Sequence, residues 1–276
     1  MENKAPGKIR FNYARIFTAM LIVAAVLGVI VLGNQATAVF FLLINIFGGR
    51  ELCYVLEEEK TPALNVVYML LCIAPFSLMY LFELDFGTYY ETLIVMSTVL
   101  MFGLITNLWS NKLNFSKIRF PFTLFYWGLP FSLIAYFLLY SGKEVQFLLF
   151  SIILLLWTSD TMAYLTGKAF GKNKLFPSVS PGKTIEGSLG AGISCVIVGM
   201  CIAYTLQEPF NKWLILSLFV WIFGTLGDLV ESKLKRLQNV KDSGSLLPGH
   251  GGFLDRFDSL VLLIPFLLVL EYYFRV

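Results

Sequence analysis

Long apolar segments alternate with short polar segments along almost the whole chain of 276 residues. A helix that crosses the ~30 Å hydrocarbon core of a bilayer needs about 20 mostly apolar residues. Segments of about this length predict nine membrane-spanning helices, at residues 16–33, 36–49, 63–82, 92–109, 121–140, 145–166, 186–206, 211–230 and 258–274. The second segment is short, so the first two form either a pair of crossings or a re-entrant hairpin that turns at Gly33-Asn34-Gln35. The pattern predicts an all-α, polytopic integral membrane protein.

The composition excludes a soluble globular protein. Hydrophobic residues make up 57% of the chain and charged residues only 14%, whereas soluble domains carry about 25% charged residues. The apolar run that follows the basic N-terminus has no small-residue cleavage site before a soluble domain, so we interpret it as a membrane helix and not as a signal peptide. Without repeats or long linkers, we expect one continuous membrane domain, in which residues 1–150 form a scaffold or dimerisation region and residues 151–276 carry the catalytic chemistry.

The basic residues indicate how the helices are oriented. If the N-terminus is cytoplasmic and nine helices cross, 18 of the 21 lysines and arginines fall on the cytoplasmic side. Only Lys143, Lys212 and Arg275 fall outside. Cytoplasmic loops are enriched in basic residues, so this segregation supports both the number of crossings and the cytoplasmic N-terminus.

An acidic residue interrupts the sixth apolar segment, within Thr158-Ser159-Asp160. A carboxylate inside a span is costly, and it usually lines a cavity, pairs with a cation or binds an ion. The alternative is an ordinary aspartate near the membrane interface. Asp160 lies several residues from the predicted helix end, which favours a functional role.

The loop at residues 171–187 contains Gly182-Lys183-Thr184, as a phosphate-binding P-loop does. The P-loop fold is excluded, because Pro177 stands where that motif requires glycine and no parallel sheet is predicted. Ser180, Lys183 and Thr184 can nevertheless hold phosphate oxygens near a helix N-terminus. Equally, the loop can be an ordinary capped connection in which Ser180 and Pro181 begin the next helix.

Polar residues also flank the last long loop. Along the end of the eighth helix, one face carries the residues at i, i+3, i+4, i+7 and i+8, which are Asp228, Glu231, Ser232, Lys235 and Arg236. A glycine-containing loop with Lys241, Asp242 and His250 follows, and the ninth helix begins near Asp255, Arg256 and Asp258. Carboxylates at two helix ends can converge on Mg²⁺, while the cations neutralise phosphate. The pattern indicates phosphoryl or nucleotidyl transfer at a membrane surface.

The segment SKLKRLQNVKDSGSLLPGHGGFLDRFD, residues 232–258, closely resembles the signature of the phosphatidate cytidylyltransferase family, also called CDP-diacylglycerol synthase. The resemblance covers roughly residues 155–260, whereas the first 150 residues match only as a set of apolar helices. This chain departs from many relatives at Gly182, where they carry a lysine. That difference affects one phosphate contact that the resemblance would otherwise imply.

The resemblance implies the reaction of CTP with phosphatidate to give CDP-diacylglycerol and pyrophosphate. It also implies a homodimer in the inner cell membrane with its site open to the cytoplasm and the lipid bilayer, Mg²⁺ with an assisting K⁺ in some members, and no nucleic acid partner. Asp228 and Asp255 then correspond to metal ligands. The phosphate contacts would be Lys183, Thr184, Lys235, Arg236, Lys241 and Arg256.

His250 is the only histidine of the chain. A phosphate nucleophile is already ionised at neutral pH and needs no general base. We therefore expect His250 to contact phosphate or brace the loop. Together with Asp160, Ser180, Ser232 and Asp242, it completes the set of candidate site residues.

Other functions remain open at this stage. A CTP-dependent polyprenol or dolichol kinase would transfer the terminal phosphoryl group to an alcohol, and would need a base. A cation-coupled transporter could use Asp160 and Asp228, although the paired halves that such proteins often show are not evident. A CDP-archaeol synthase would share the same motif.

Overall fold

The computed structural model describes residues 13–57, 59, 61–82, 88–110, 115, 117–140, 144–244 and 252–271. Most of these residues are helical. The helices are α1 (Tyr13–Leu32), α2 (Asn34–Leu56), α3 (Pro62–Leu81), α4 (Thr88–Thr106), α5 (Arg119–Phe122), α6 (Leu129–Tyr140), α7 (Glu144–Phe170), α8 (Ile185–Leu206), α9 (Phe210–Leu237) and α10 (Leu254–Val269). A 3₁₀ turn at Asn107–Trp109 follows α4, and a π-helical segment at Thr123–Gly128 joins α5 to α6.

The all-α, polytopic architecture predicted from the sequence is confirmed. Because α5, the π-helical segment and α6 form one continuous rod, each of the nine predicted segments corresponds to one helical rod among the described residues. Seven rods are long and apolar enough to cross a membrane. The other two rods are shorter. The apolar part of α1 covers Met20–Leu32, and α10 has 16 residues. The exact number of crossings and the side of the N-terminus stay predictions.

The second helix is longer than the sequence pattern predicted. It has 23 residues and continues to Leu56, rather than ending at residue 49. At 1.5 Å per residue this length is roughly 34 Å, which is enough to cross the hydrocarbon core. The turn before it is made at Gly33, whose φ of 112° is accessible to glycine at low cost. These dimensions favour two crossings over a re-entrant hairpin.

The loop before α8 contains a small antiparallel sheet that the sequence analysis did not predict. Strand β1 (Lys174–Phe176) pairs with β2 (Ser180–Thr184). The alternative in which Ser180 and Pro181 begin the next helix is therefore wrong, since both lie in β2. Helix α8 begins at Ile185, and Thr184 is its N-cap, with Oγ1 accepting a hydrogen bond from Gly187 N at 3.1 Å.

Close contacts join the helices of the N-terminal half. Gly48 leaves space for the indole ring of Trp127, which would collide with any side chain at that position. The buried Asn45 donates from Nδ2 to Cys72 O at 2.9 Å, and Trp127 Nε1 donates to Asn45 O at 3.0 Å. These bonds satisfy polar groups that lipid could not satisfy. They fix α2, α3 and the π-helical segment against one another.

The two halves of the chain also contact each other. Phe131 of α6 lies against Phe257 of α10, with ring centroids 6.2 Å apart. On the opposite side of α9 from the polar residues, Lys233 Nζ donates to the carbonyls of Asn107, Leu108 and Ser110. Helices α9 and α10, which carry six of the candidate site residues, are thus held by the N-terminal helices.

Candidate functional site

A polar cavity of about 730 Å³ lies between α7, β2, the start of α8, α9 and the start of α10. The candidate residues that line it are Asp160, Ser180, Lys183, Thr184, Asp228, Lys235, Asp242, Asp255 and Arg256. Residues more than 90 positions apart in the chain thus meet at one site, as the sequence pattern predicted.

Four candidate residues are placed differently. Ser232 does not line the polar cavity, but its Oγ donates to Asp228 Oδ1 at 3.1 Å and so orients that carboxylate. Arg236 and Lys241 are exposed and lie outside the lining. Arg236 instead donates to Val240 O at 3.3 Å, closing the end of α9. His250 lies outside the described residues.

Small residues let α7 and α8 approach closely beside the polar cavity. A Cβ at Gly187 would lie 2.7 Å from Ala163 O, and a Cβ at Gly167 would lie 3.0 Å from Thr184 Oγ1. At the base of the β1–β2 hairpin, Glu186 Oε2 accepts hydrogen bonds from Lys172 N at 3.0 Å and Asn173 N at 3.2 Å. The hairpin is therefore anchored at the start of α8, and it holds Lys183 over the cavity.

Three carboxylates from α9 and α10 converge inside the polar cavity. One oxygen each from Asp228, Glu231 and Asp258 lies within 4.8 Å of the others, and we call these residues the acidic cluster. Glu231 and Asp258 are buried, at 0% and 8% exposure. Negative charges this close and this buried repel one another strongly, and a cation bound among them would relieve that repulsion. Oxygen ligands in such a group suit a hard divalent cation such as Mg²⁺.

The glycine at the crossing of α9 and α10 makes this convergence possible. A Cβ at Gly227 would lie 2.8 Å from the carbonyl oxygen of Asp258 and 2.9 Å from the Cα of Ser259. The two backbones are therefore in direct contact at this point. Asp228, the residue after Gly227, and Asp258, at the contact itself, consequently place their side chains in the same space.

Two lysines pair with the carboxylates of the polar cavity. Lys183 Nζ lies 2.6 Å from Asp228 Oδ2. Lys235 Nζ lies 2.7 Å from Glu231 Oε2 and also 2.7 Å from Asp255 Oδ1. The cavity thus presents cations and carboxylates side by side, which is the arrangement needed to bind a phosphate together with a divalent metal ion.

Asp255 makes contacts with the chain in addition to lining the polar cavity. Beyond its pairing with Lys235, its Oδ2 accepts hydrogen bonds from Gly252 N at 3.0 Å and Ser243 N at 3.3 Å. The carboxylate thus joins Ser243 and Gly252, which lie at the two described ends of the loop between α9 and α10. Asp228 and Asp255 do line one cavity, and the assignment of Asp255 as a metal ligand stays a prediction.

Sequence reasoning had not assigned Glu231 and Asp258 as site residues, although the signal was available. Glu231 follows Asp228 at i+3, and Asp258 follows Asp255 at i+3. Each spacing places two carboxylates on one helix face. Both Asp255 and Asp258 face α9, and the helix crossing at Gly227 places Asp258 beside Asp228.

The whole described bundle matches one family of proteins. A family model described as the cytidylyltransferase family matches residues 13–274. The chain belongs to the cytidylyltransferase family. It is therefore a membrane-embedded nucleotidyltransferase, and the resemblance that the polar segment at residues 232–258 indicated is confirmed.

Individual relatives of this cytidylyltransferase agree over most of their length. The chain is 34% identical to the phosphatidate cytidylyltransferase of Bacillus subtilis over 266 residues, which is 92% of this chain and 95% of that protein. A protein of the same name from Staphylococcus haemolyticus is 41% identical over 183 residues, or 65% of this chain and 68% of its own. The Staphylococcus epidermidis protein is 32% identical over 262 residues, 93% of this chain and 97% of its own.

Proposed function

We propose that the protein is a phosphatidate cytidylyltransferase, which converts CTP and phosphatidate to CDP-diacylglycerol and pyrophosphate in phospholipid biosynthesis. The observation that carries the proposal is the joining, in one cavity between membrane helices, of the acidic cluster with Lys183, Lys235 and Arg256. The names of the relatives support the same reaction. A water-soluble nucleotide and a membrane lipid can meet only at such a boundary.

The reaction asks the protein chiefly to position two anions. A phosphate oxygen of phosphatidate attacks the α-phosphorus of CTP, a new P–O bond forms, and the bond to the β-phosphate bridging oxygen breaks. The nucleophile is already ionised, so no side chain must remove a proton. Lys183, Lys235 and Arg256 line the space between the acidic cluster and the hairpin, where they would neutralise and align the phosphates.

The acidic cluster fits a divalent cation, because its three carboxylates lie close together and offer the oxygen ligands that such an ion prefers. Asp228, Glu231 and Asp258 would hold the ion. When bound, Mg²⁺ supplies positive charge that stabilises the pyrophosphate as it leaves. Ser232 orients Asp228 through the hydrogen bond between them.

We propose that Asp255 is either an additional metal ligand or the group that positions Lys235. From the family we also expect an assisting K⁺.

We also propose that the site faces the cytoplasm of a bacterial cell and that the protein acts in the inner membrane as a homodimer. The segregation of basic residues predicts that the ends of α7, α9 and α10 near the polar cavity lie on the cytoplasmic side. This side also attracts anionic substrates.

A cysteine-accessibility assay in intact cells, with Asn239→Cys as the probe site in the loop after α9, tests the orientation. Protection of the introduced thiol from an impermeant reagent is expected, and free labelling would contradict it.

One experiment separates the proposed reaction from a CTP-dependent lipid kinase. Purified protein in detergent micelles is given phosphatidate, Mg²⁺ and CTP labelled at either the α- or the γ-phosphate. We expect the α label to enter the lipid and the γ label to leave as pyrophosphate. Entry of only the γ label into the lipid would show a kinase. Asp228→Asn protein, prepared in parallel, controls for contaminating activity.

A further inference from the structure

We propose that Glu51 of α2 is a positioning residue for the reaction, because its carboxylate holds the loop that connects α9 to the start of α10. The inference rests on the proposed function in naming the reaction that is affected. Glu51 lies far from the signature segment in sequence and belongs to the half of the chain in which no site residue was expected.

The carboxylate of Glu51 binds the first turn of α10 directly. The residue is 1% exposed, and its Oε2 accepts hydrogen bonds from Leu254 N at 2.8 Å and from Ser243 Oγ at 3.3 Å. Phe253, the N-cap of α10, makes no capping bond with its side chain. Free N–H groups and the helix dipole make this position favourable for an anion. Glu51 therefore caps α10 from a neighbouring helix.

Glu51 and Asp255 hold the same loop from two sides. Ser243 donates from its Oγ to Glu51 and from its backbone N to Asp255 Oδ2. Asp255 Oδ1 in turn pairs with Lys235, which pairs with Glu231 of the acidic cluster. A continuous set of polar contacts thus leads from α2 to the acidic cluster. A displacement of Glu51 would be transmitted to Asp255 and Lys235.

The loop is shaped to receive this carboxylate. A Cβ at Gly244 would lie 2.8 Å from Glu51 Oε1 and 3.0 Å from its Cδ. A Cβ at Gly252 would collide with the Glu51 carboxylate and with Ser243 Oγ. One turn earlier on α2, Phe47 stacks on Phe253 with ring centroids 5.5 Å apart. Gly244, Gly252 and the pair of Phe47 with Phe253 therefore let the two described ends of the loop lie close to α2.

The same chain segment provides a matched control at Glu57, which follows the last residue of α2. This carboxylate is also largely buried, but it accepts a hydrogen bond from Tyr68 Oη at 2.8 Å and pairs with Arg119 Nε at 3.0 Å. Its partners lie on α3 and α5, away from the loop. Substitution of Glu51 or Glu57 by glutamine removes one buried charge at constant volume. Only the change at Glu51 alters the contacts of α10.

The experiment compares Glu51→Gln with Glu57→Gln in the full-length protein. Steady-state kinetics are measured with CTP and phosphatidate, and hydrogen exchange is followed at the amides of residues 252–256. We expect Glu51→Gln to lower kcat about tenfold or more with a smaller change in KM, because small displacements of catalytic groups are costly, and to accelerate exchange at Leu254. Glu57→Gln should lower thermal stability and leave both readouts near those of the wild type.

A second comparison guards against a general loss of folding. Gly244→Ala should impair the protein when Glu51 is present and have little further effect in Glu51→Ala, since the colliding atoms are then absent. Wild-type kcat and exchange in Glu51→Gln, or equal damage from Gly244→Ala in both backgrounds, would overturn the inference. If the wild-type protein makes no CDP-diacylglycerol, the proposed function fails, and the exchange measurements decide separately whether Glu51 holds the loop.

Discussion

Lys183 Nζ lies 2.6 Å from Asp228 Oδ2, and this ion pair joins the β1–β2 hairpin to α9 across the polar cavity. Both side chains are about one-third exposed or less, at 27% and 32%. A surface ion pair of this kind contributes little to stability, typically about 0–1 kcal/mol. The pair matters for function because it places the Lys183 ammonium group beside the carboxylate that would hold a metal ion, where a substrate phosphate would also bind.

Lys183→Ala is predicted to lower kcat/KM for CTP by about 100-fold or more, because one charge-stabilising donor is removed from the reacting phosphates. Thermal stability should change little. Initial rates of pyrophosphate release and a melting curve in detergent check both expectations. Lys174→Ala, on β1 of the same hairpin and outside the cavity lining, is the matched control and should keep wild-type activity. Equal effects at the two lysines would contradict the role of Lys183.

A second prediction distinguishes the roles of the two carboxylates of α10, Asp255 and Asp258. Asp258→Asn should lose about 100-fold or more in kcat, as removal of a charge-stabilising group does, and excess Mg²⁺ should restore part of it because a ligand has been weakened. Asp255→Asn should also lose activity, through the release of Lys235 and the loop, but without recovery at high Mg²⁺. Rates are measured across a range of Mg²⁺ concentrations. Recovery of Asp255→Asn alone would return the metal site to the pair Asp228 and Asp255.

Much of this site follows from the sequence, because its polar residues interrupt apolar segments where their cost in a membrane is large. Asp160, Lys183, Asp228 and Lys235 all reached the polar cavity as the pattern indicated. The i, i+3 and i+4 spacings were enough to place side chains on helix faces. The order of the helices followed from hydropathy alone.

Most of the remaining features of the site depend on how the helices cross. The periodicity of residues along one helix does not specify such a crossing. Asp258 faces Asp228 because Gly227 lets the two backbones touch. Glu51 reaches Leu254 although 203 positions separate them in the chain. The β1–β2 hairpin before α8 was not predicted either, although the predicted start of that helix at residue 186 lies next to the observed start at Ile185. The contacts of Asp258 and Glu51 depend on tertiary packing between distant segments, whereas the hairpin is a local structure.

Gly227→Ala tests the helix crossing itself. The added methyl would lie 2.8 Å from Asp258 O and 2.9 Å from Ser259 Cα, and backbone atoms cannot move aside cheaply. We expect destabilisation of about 1–3 kcal/mol, the usual cost of overpacking, together with a large loss of activity as the acidic cluster separates. Thermal melting and CDP-diacylglycerol formation measure the two effects. Gly103→Ala in α4, where a Cβ meets nothing within 4 Å, should leave both near the wild type.

The last prediction concerns His250, for which the identity of the nucleophile decides the outcome. If ionised phosphate attacks CTP, no side chain must accept a proton, and His250→Gln should retain the shape of the pH–rate profile while lowering kcat less than about tenfold. If instead an alcohol attacked, loss of the general base would cost about 10²–10⁴-fold and would remove the rise in rate with pH. Initial rates from about pH 5.5 to 9 distinguish the two results (a range chosen to span the ordinary histidine pKa of about 6.5). A profile that becomes flat in His250→Gln would contradict the phosphate nucleophile and favour transfer to an alcohol.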